Sequence, residues 1–122
     1  MVSEDELNRA VLKATIAESL AEEKMIAAEK AVVKATTIVN KITEKYEKAV
    51  QNQGHAATEP ITIYKRVKKV TEKIGREKER AETAKVAAEI EAKRVIAEDI
   101  KKANAARRAA DRALKDAKEN RS

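Results

Sequence analysis

The chain has 122 residues with a formal net charge of +6, and 39% of them are charged, a composition typical of one long-helical or coiled-coil domain. Hydrophobic residues make up 43%, but nearly half of these are alanine, and Phe and Trp are absent. Alanine is the best helix former and buries little area, so we expect long helices with a thin apolar core. The lack of cysteine excludes disulfides and thiolate metal sites.

The opening residues are acidic and contain no apolar run, so we expect no signal peptide. No stretch approaches the ~20 apolar residues that a membrane span requires, so we expect no transmembrane segment. A cytoplasmic location is the simplest interpretation. The compartment is otherwise unknown, because a chain without cysteine carries no redox signature.

The first predicted helix spans about residues 3–52 and starts at a capping box formed by Ser3 and Glu6. An apolar position recurs every seven residues, at Leu7, Ala14, Ala21, Ala28, Ala35, Ile42 and Ala49. Two neighbouring stripes broaden this seam, one of Ala10, Ala17, Lys24, Ala31, Ile38 and Lys45, the other of Val11, Glu18, Met25, Val32, Val39 and Tyr46. The spacing predicts a coiled-coil-like, alanine-rich seam that a second helix approaches closely.

Residues 53–58 are predicted to be a loop, with Gly54 closing the first helix and Thr58 capping the second. The second helix is expected over about residues 59–120. From Ala81 its apolar positions follow steps of three, four and four residues, an eleven-residue repeat that predicts a nearly straight helix. Gly75 marks a site for a kink. Two alternatives remain, a full break at Gly75 that yields three shorter helices, and a short strand at residues 61–64.

Facing residues in an antiparallel hairpin have numbers that sum to a constant, and the centre of the predicted loop gives about 109. This register places Ala28 against Ala81 and Ala21 against Ala88. It also brings Tyr46 close to Tyr64 beside the turn. The predicted fold is all-α, a long antiparallel helical hairpin that forms a single helical domain over residues 1–122.

Some apolar residues have no place in a closed hairpin. Leu12, Ile16 and Leu20 lie off the seam of the first helix, and the second helix should run past the start of the first. The candidate interaction face therefore consists of Leu12, Ile16, Leu20, Ala110 and Leu114. Either a third helix completes a three-helix bundle, or two hairpins dimerise into a four-helix bundle. The expected partner is a second copy or a helix of another protein.

Positive charge is concentrated in the second part of the chain. Residues 1–50 hold eight basic and nine acidic side chains, whereas residues 51–122 hold nineteen and twelve. Two clusters are candidate anion-binding sites for nucleic acid or an anionic membrane, one of Lys65, Arg66, Lys68, Lys69 and Lys73, the other of Arg107, Arg108 and Arg112. The alternative is an ordinary solvated helix face.

Catalytic constellations are missing from the sequence. His55 is the only histidine and falls in the predicted loop, which excludes a Ser-His-Asp triad or a His-based metal motif within this chain. Asp99 interrupts the apolar stripe, either as a register device or paired with Lys13. The chain resembles alanine-rich coiled-coil proteins, natural or designed, and helical hairpin arms of larger proteins. We predict a non-catalytic structural or interaction module without cofactor, metal or small-molecule substrate.

Overall fold

The computed structural model describes residues 3–121, apart from the side chain of Arg121, and these residues form helices joined by one short turn. Helix α1 is Glu4–Ala56, and helix α2 is Ile61–Arg94. A π-helix at Val95–Ile100 leads into helix α3, Lys101–Arg121, with α-helical backbone angles at both junctions. The predicted all-α fold is confirmed. The strand alternative at residues 61–64 is wrong, because α2 begins there.

The start of α1 follows the predicted capping pattern. The backbone N–H of Glu6 donates to Ser3 Oγ at 3.2 Å, which satisfies one of the amide groups left without a partner in the first helical turn. The N–H of Leu7 donates to the carbonyl of Ser3, so hydrogen bonding begins at the expected residue. The local sequence is therefore sufficient to set this helix end.

The end of α1 differs from the prediction. The helix does not stop near residue 52 but continues through Gly54, whose φ is not positive, to Ala56. Ala56 is buried and continues the seven-residue stripe beyond Ala49, so inward packing offsets the ~1 kcal/mol cost of a helical glycine. Thr58 does not cap α2 either. Its hydroxyl donates to the carbonyl of His55 at 3.1 Å and so closes α1.

Helix α2 begins after Pro60, whose carbonyl accepts the N–H groups of Ile63 and Tyr64 at 2.9 and 3.2 Å. It then runs through Gly75 without a break. A Cβ atom at Gly75 would lie 3.3 Å from Cε2 of Tyr46. The glycine therefore makes room for an aromatic ring on α1, and the alternative of three shorter helices broken at Gly75 is wrong.

The inward face of α1 follows steps of four and three residues over its whole length. Its buried or half-buried members are Leu7, Val11, Ala14, Glu18, Ala21, Met25, Ala28, Val32, Ala35, Val39, Ile42, Tyr46, Ala49, Gln53 and Ala56. The stripe that starts at Ala10 is exposed, so its predicted place in the seam is wrong. Both stripes satisfy coiled-coil spacing, but the one starting at Val11 carries the larger apolar side chains and gains more from burial.

The π-helix joins two phases of inward residues. Ala81, Ala88 and Val95 are spaced by seven residues, and so are Ala103, Ala110 and Ala117, but Val95 and Ala103 are eight apart. Val95 is buried, with 2% of its surface exposed. In a regular helix the inward position seven residues later would be Lys102. The wider π turn absorbs the extra residue. The predicted eleven-residue repeat is wrong, since two seven-residue phases with one insertion describe the helix.

The chain divides into two compact units. Lys30–Ile90 is an antiparallel helical hairpin that contains the turn, and the second unit pairs the residues up to Glu29 with those from Glu91 onward. That residues 1–122 form a single domain stays a prediction.

Cross-helix contacts in both units correct the predicted register. In the hairpin, the hydroxyl of the buried Thr71 donates to the carbonyl of Ala49 at 3.2 Å, whereas the predicted register placed residue 60 there. In the other unit, Lys24 Nζ lies 3.2 Å from Asp99 Oδ2. The predicted register is therefore wrong by about three turns.

Two sets of predicted neighbours depended on that register. The pairings of Ala28 with Ala81 and of Ala21 with Ala88 followed from the sum of about 109 and lose their basis with it. The tyrosines also have other neighbours. Tyr46 lies against Gly75, and Tyr64 accepts a hydrogen bond from the side chain of Gln53 at 3.4 Å. Most of the error arises from the loop. The observed turn is centred between residues 58 and 59, about four residues beyond the centre that the sum of about 109 implies, and this raises the sum by about eight.

Ala21 and Ala103 are both buried and line the same groove, so cysteines at these two positions should form a disulfide spontaneously in the folded chain. A disulfide needs Cα atoms within roughly 7 Å, which close packing of small residues provides. Gel mobility under non-reducing conditions measures it. The control pair, Ala21→Cys with Ala110→Cys, is displaced by about two turns and should stay reduced. Equal crosslinking of both pairs would refute this register.

Deleting Ala97, an exposed residue of the π-helix, should leave a regular α-helix with Val95 and residue 103 in one phase. We expect a melting temperature equal to or above that of the unmodified chain, measured by circular dichroism. Deleting the exposed Ala105 instead turns Ala110 and Leu114 away from the inward face, which should lower the melting temperature by on the order of 5 °C. Similar losses in both deletions would show that the π turn is not an accommodated insertion.

Candidate interaction surfaces

Three large apolar side chains form an exposed stripe on α1. Leu12, Ile16 and Leu20 are four residues apart, share one helix face and are 61%, 53% and 58% exposed. They lie away from the inward seam, as their position in the sequence predicts. Unpartnered apolar residues grouped at helical spacing are typical of interaction sites, although single exposed ones are ordinary.

The other two predicted members of the interaction face lie elsewhere. Ala110 and Leu114 are half-buried on the inward stripe of α3, so the structure does not group them with the exposed stripe of α1. The predicted overhang of the second helix is also wrong, since Arg107 of α3 contacts Glu18 of α1, and α3 lies beside α1 at this level. The overhang followed from the same register error.

A groove of about 780 Å³ lies between α1 on one side and the π-helix and α3 on the other. It belongs to the unit formed by the residues up to Glu29 and from Glu91 onward. Small apolar residues dominate its lining, including Ala17, Ala21, Ala103 and Ala106, with Leu20 at its edge. The groove therefore adjoins the exposed stripe through Leu20. Sequence reasoning missed it because the groove depends on the pairing of the two helices.

Arg107 is a structural residue more than an anion-binding candidate. Its guanidinium Nη1 lies 2.7 Å from Oε1 of Glu18, and Nε lies 3.7 Å from Asp111. The hydrogen bond with Glu18 raises the pKa of Arg107 above its ordinary value. The other two members of that predicted cluster, Arg108 and Arg112, are exposed. The structure therefore leaves this cluster with two exposed members.

Asp99 faces a network of charges beside the π-helix. Its Oδ2 lies 3.2 Å from Lys24 Nζ and 3.6 Å from Arg94 Nη2, so the predicted pairing with Lys13 is wrong. Arg94 also contacts Glu91 at 2.7 Å and Glu98 at 3.3 Å. The hydrogen bond donated by Arg94 lowers the pKa of the Glu91 carboxyl below its ordinary value. Of these contacts, the Lys24–Asp99 pair links α1 to the π-helix.

The basic cluster on α2 is solvent-exposed at all five positions, namely Lys65, Arg66, Lys68, Lys69 and Lys73. Arg66 also lines a groove of about 380 Å³ together with Lys45 and Lys48 of α1. Sequence reasoning missed these two lysines because it grouped cations along the second helix alone. No local sequence signal identifies them, since the juxtaposition exists only once the helices have paired.

The described residues include no candidate metal site and no helix that could span a membrane. No group of three or more His, Cys, Asp or Glu side chains that could hold a metal ion occurs among residues 3–120. None of the described helices contains a segment long and apolar enough to cross a membrane. His55 is exposed near the end of α1. No protein-family model, curated protein or solved structure matches this chain.

Replacing Arg94 by Gln should raise the pKa of Glu91 toward its ordinary value, because the hydrogen bond that favours the ionised carboxyl is lost. A lowered pKa means that the stabilisation from this pair is present above the ordinary value and is lost as the pH falls through the lowered one. Carboxyl ¹³C chemical shifts measured against pH report the change. The neighbouring Lys93→Gln should leave the Glu91 titration unchanged, and equal effects of both variants would contradict the assignment.

Proposed function

We propose that this chain is a non-catalytic structural module that self-associates through the exposed face of α1, its partner being a second copy of the chain. The observation that supports the proposal most directly is the stripe of Leu12, Ile16 and Leu20, each more than half exposed. A coiled-coil-like assembly of four helices would cover this stripe without any catalytic role for the chain.

The stripe is self-complementary when two copies of α1 cross antiparallel about a two-fold axis at Ile16. Leu12 of one copy then meets Leu20 of the other, and Ile16 meets its own counterpart. The same operation places Arg9 opposite Glu23 of the other copy. Arg9, Ile16 and Glu23 are seven residues apart on one face, and both charged residues are exposed. Charge and shape therefore favour a second copy over an unrelated helix.

The free energy gained by burying the stripe is close to the free-energy cost of bringing two copies together. Six partly exposed side chains, three from each copy, gain about 1 kcal/mol each, or half of their full burial. The resulting ~6 kcal/mol is comparable with the cost of association, which is about 4 to 15 kcal/mol. The small-residue groove beside Leu20 offers further contact area, and the two Arg9–Glu23 pairs add specificity. Apolar contact alone therefore leaves at most about 2 kcal/mol of net association free energy, short of the ~8 kcal/mol of a micromolar dimer, and we expect a weak dimer whose population rises with concentration.

Substituting Leu12, Ile16 and Leu20 together by Gln should convert the dimer into a monomer, because the apolar contact is removed while helix propensity is largely retained. Sedimentation equilibrium from 5 to about 200 µM measures the effect. The matched control replaces three equally exposed apolar residues, Val33, Val86 and Ile90, by Gln and should leave the dimer intact. An unmodified chain that is monomeric throughout this range would refute self-association.

Charge reversal tests the antiparallel arrangement itself. Arg9→Glu or Glu23→Arg alone should weaken dimerisation severalfold, because each creates two like-charge pairs across the two-fold axis. The double variant restores opposite charges and should recover most of the affinity. Additive losses in the double variant would exclude this geometry.

A second candidate function is electrostatic binding of nucleic acid or an anionic membrane. The five exposed cations of the α2 cluster favour it, because exposed Lys and Arg side chains neutralise phosphates and release counterions. Binding of this kind should fall steeply with salt concentration. A chain that fails to bind duplex DNA or anionic vesicles at low salt would remove this candidate.

A further inference from the structure

The groove between α1 and α2 in the Lys30–Ile90 hairpin combines two kinds of surface. Lys45, Lys48 and Arg66 supply positive charge at its rim, and its apolar lining includes Val67, Val70 and Ile74. Among the residues that the structure describes, no carboxylate side chain lines this groove. A concave apolar surface whose described charged lining residues are all cations differs from an ordinary solvated helix face, on which charges of both signs alternate.

The three cations are available to a ligand. No ion pair among the described residues involves Lys45, Lys48 or Arg66. Lys45 and Lys48 are about one turn apart on α1 and Arg66 belongs to α2, so both helices contribute positive charge to the groove. Val70, which also lines the groove, is 51% exposed.

The walls of the groove are held together before any ligand arrives. Thr71 is buried, and its hydroxyl lies within hydrogen-bond distance of the carbonyls of Ala49 and Val67, at 3.2 and 3.0 Å. This contact ties α2 to α1 at the level of the groove. A preformed site loses less free energy to ordering when it binds, which favours recognition of a short segment.

We propose that this groove binds an acidic amphipathic helix of a partner protein. Apolar side chains at helical spacing would fill the space over Val67, Val70 and Ile74, and flanking glutamates or aspartates would pair with the cations on both sides. The lining on α2 extends for about two turns, which matches a partner segment of roughly eight to ten residues.

Nucleic acid fits the same surface less well. Phosphates would neutralise the cations but leave the apolar lining uncovered, and neither tyrosine of the chain lines the groove to stack against a base. The site lies in the Lys30–Ile90 unit, apart from the α1 stripe proposed for self-association. Neither proposal uses a residue of the other, so either one stands if the other fails.

Fluorescence anisotropy of the full chain tests the site, with a labelled 14-residue helical peptide that has leucines along one face and glutamates along both flanks. The triple variant Lys45→Gln, Lys48→Gln, Arg66→Gln should bind the peptide at least about tenfold more weakly. The single variant Val70→Gln should weaken binding severalfold. The matched control, Lys65→Gln, Lys68→Gln, Arg76→Gln, removes the same charges outside the groove and should bind within about threefold of the unmodified chain.

Three outcomes would overturn the proposal. One is that the triple variant of the groove and the matched control variant lose equal amounts of peptide affinity, which would mean that only the net charge of the chain matters. Another is undiminished binding of a peptide whose leucines are replaced by glutamine. The third is that a 20-base-pair duplex binds the unmodified chain more tightly than the peptide does, and that the triple variant of Lys45, Lys48 and Arg66 no longer binds this duplex. If circular dichroism shows that the groove triple has lost helicity, Val70→Gln and the leucine-free peptide decide the question.

Discussion

Close packing across small side chains is the constraint on which the rest of this structure depends. Ala14, Ala21, Ala28, Ala49 and Ala56 are buried on one face of α1 at multiples of seven residues. Each methyl group contributes only about 0.8 kcal/mol on burial, so stability accumulates along the full length of the helices. An inward position that departs from the seven-residue spacing lowers the stability of such a seam. It separates the two helix backbones, and van der Waals contacts are lost on both sides of that position.

The π-helix is one consequence of that constraint. Without it, Lys102 would replace Ala103 on the inward face, and burying an unpaired ammonium group costs several kcal/mol. One widened turn at Val95–Ile100 avoids this cost and restores the phase for Ala110 and Ala117. The surface residues follow from the same logic. The two inward stripes of α1 leave Leu12 and Ile16 outside, and Val70 of α2 is about half exposed, so these side chains become candidates for binding.

A stripe of alanines does not determine which residues of the two helices face each other. A slip of seven residues again opposes alanine to alanine, so the competing registers differ little in apolar contact. Contacts of polar side chains mark the register that the chain adopts. Thr71 bonds to the carbonyl of Ala49, and the ion pairs Lys24–Asp99 and Glu18–Arg107 each join two helices at one level. Arg107 thereby joins two helices through its ion pair with Glu18. Lys45 and Arg66 form no ion pair among the described residues, and both line one groove.

The sequence by itself determined the features that arise from neighbouring residues. Helix propensity and the capping residue Ser3 predict the start of α1. Seven-residue spacing predicts that the stripe from Ala14 to Ala49 turns inward and that Leu12, Ile16 and Leu20 remain exposed, although it also wrongly assigned the stripe from Ala10 to the seam. Only the tertiary structure decided where α1 ends, which turns of the helices pair, and where the π turn lies. These depend on small free-energy differences between alternatives that look alike locally, and contacts between residues far apart in the chain resolve them. The cationic groove belongs to the second group, because Lys45 and Lys48 of α1 and Arg66 of α2 line one groove only when the two helices are paired.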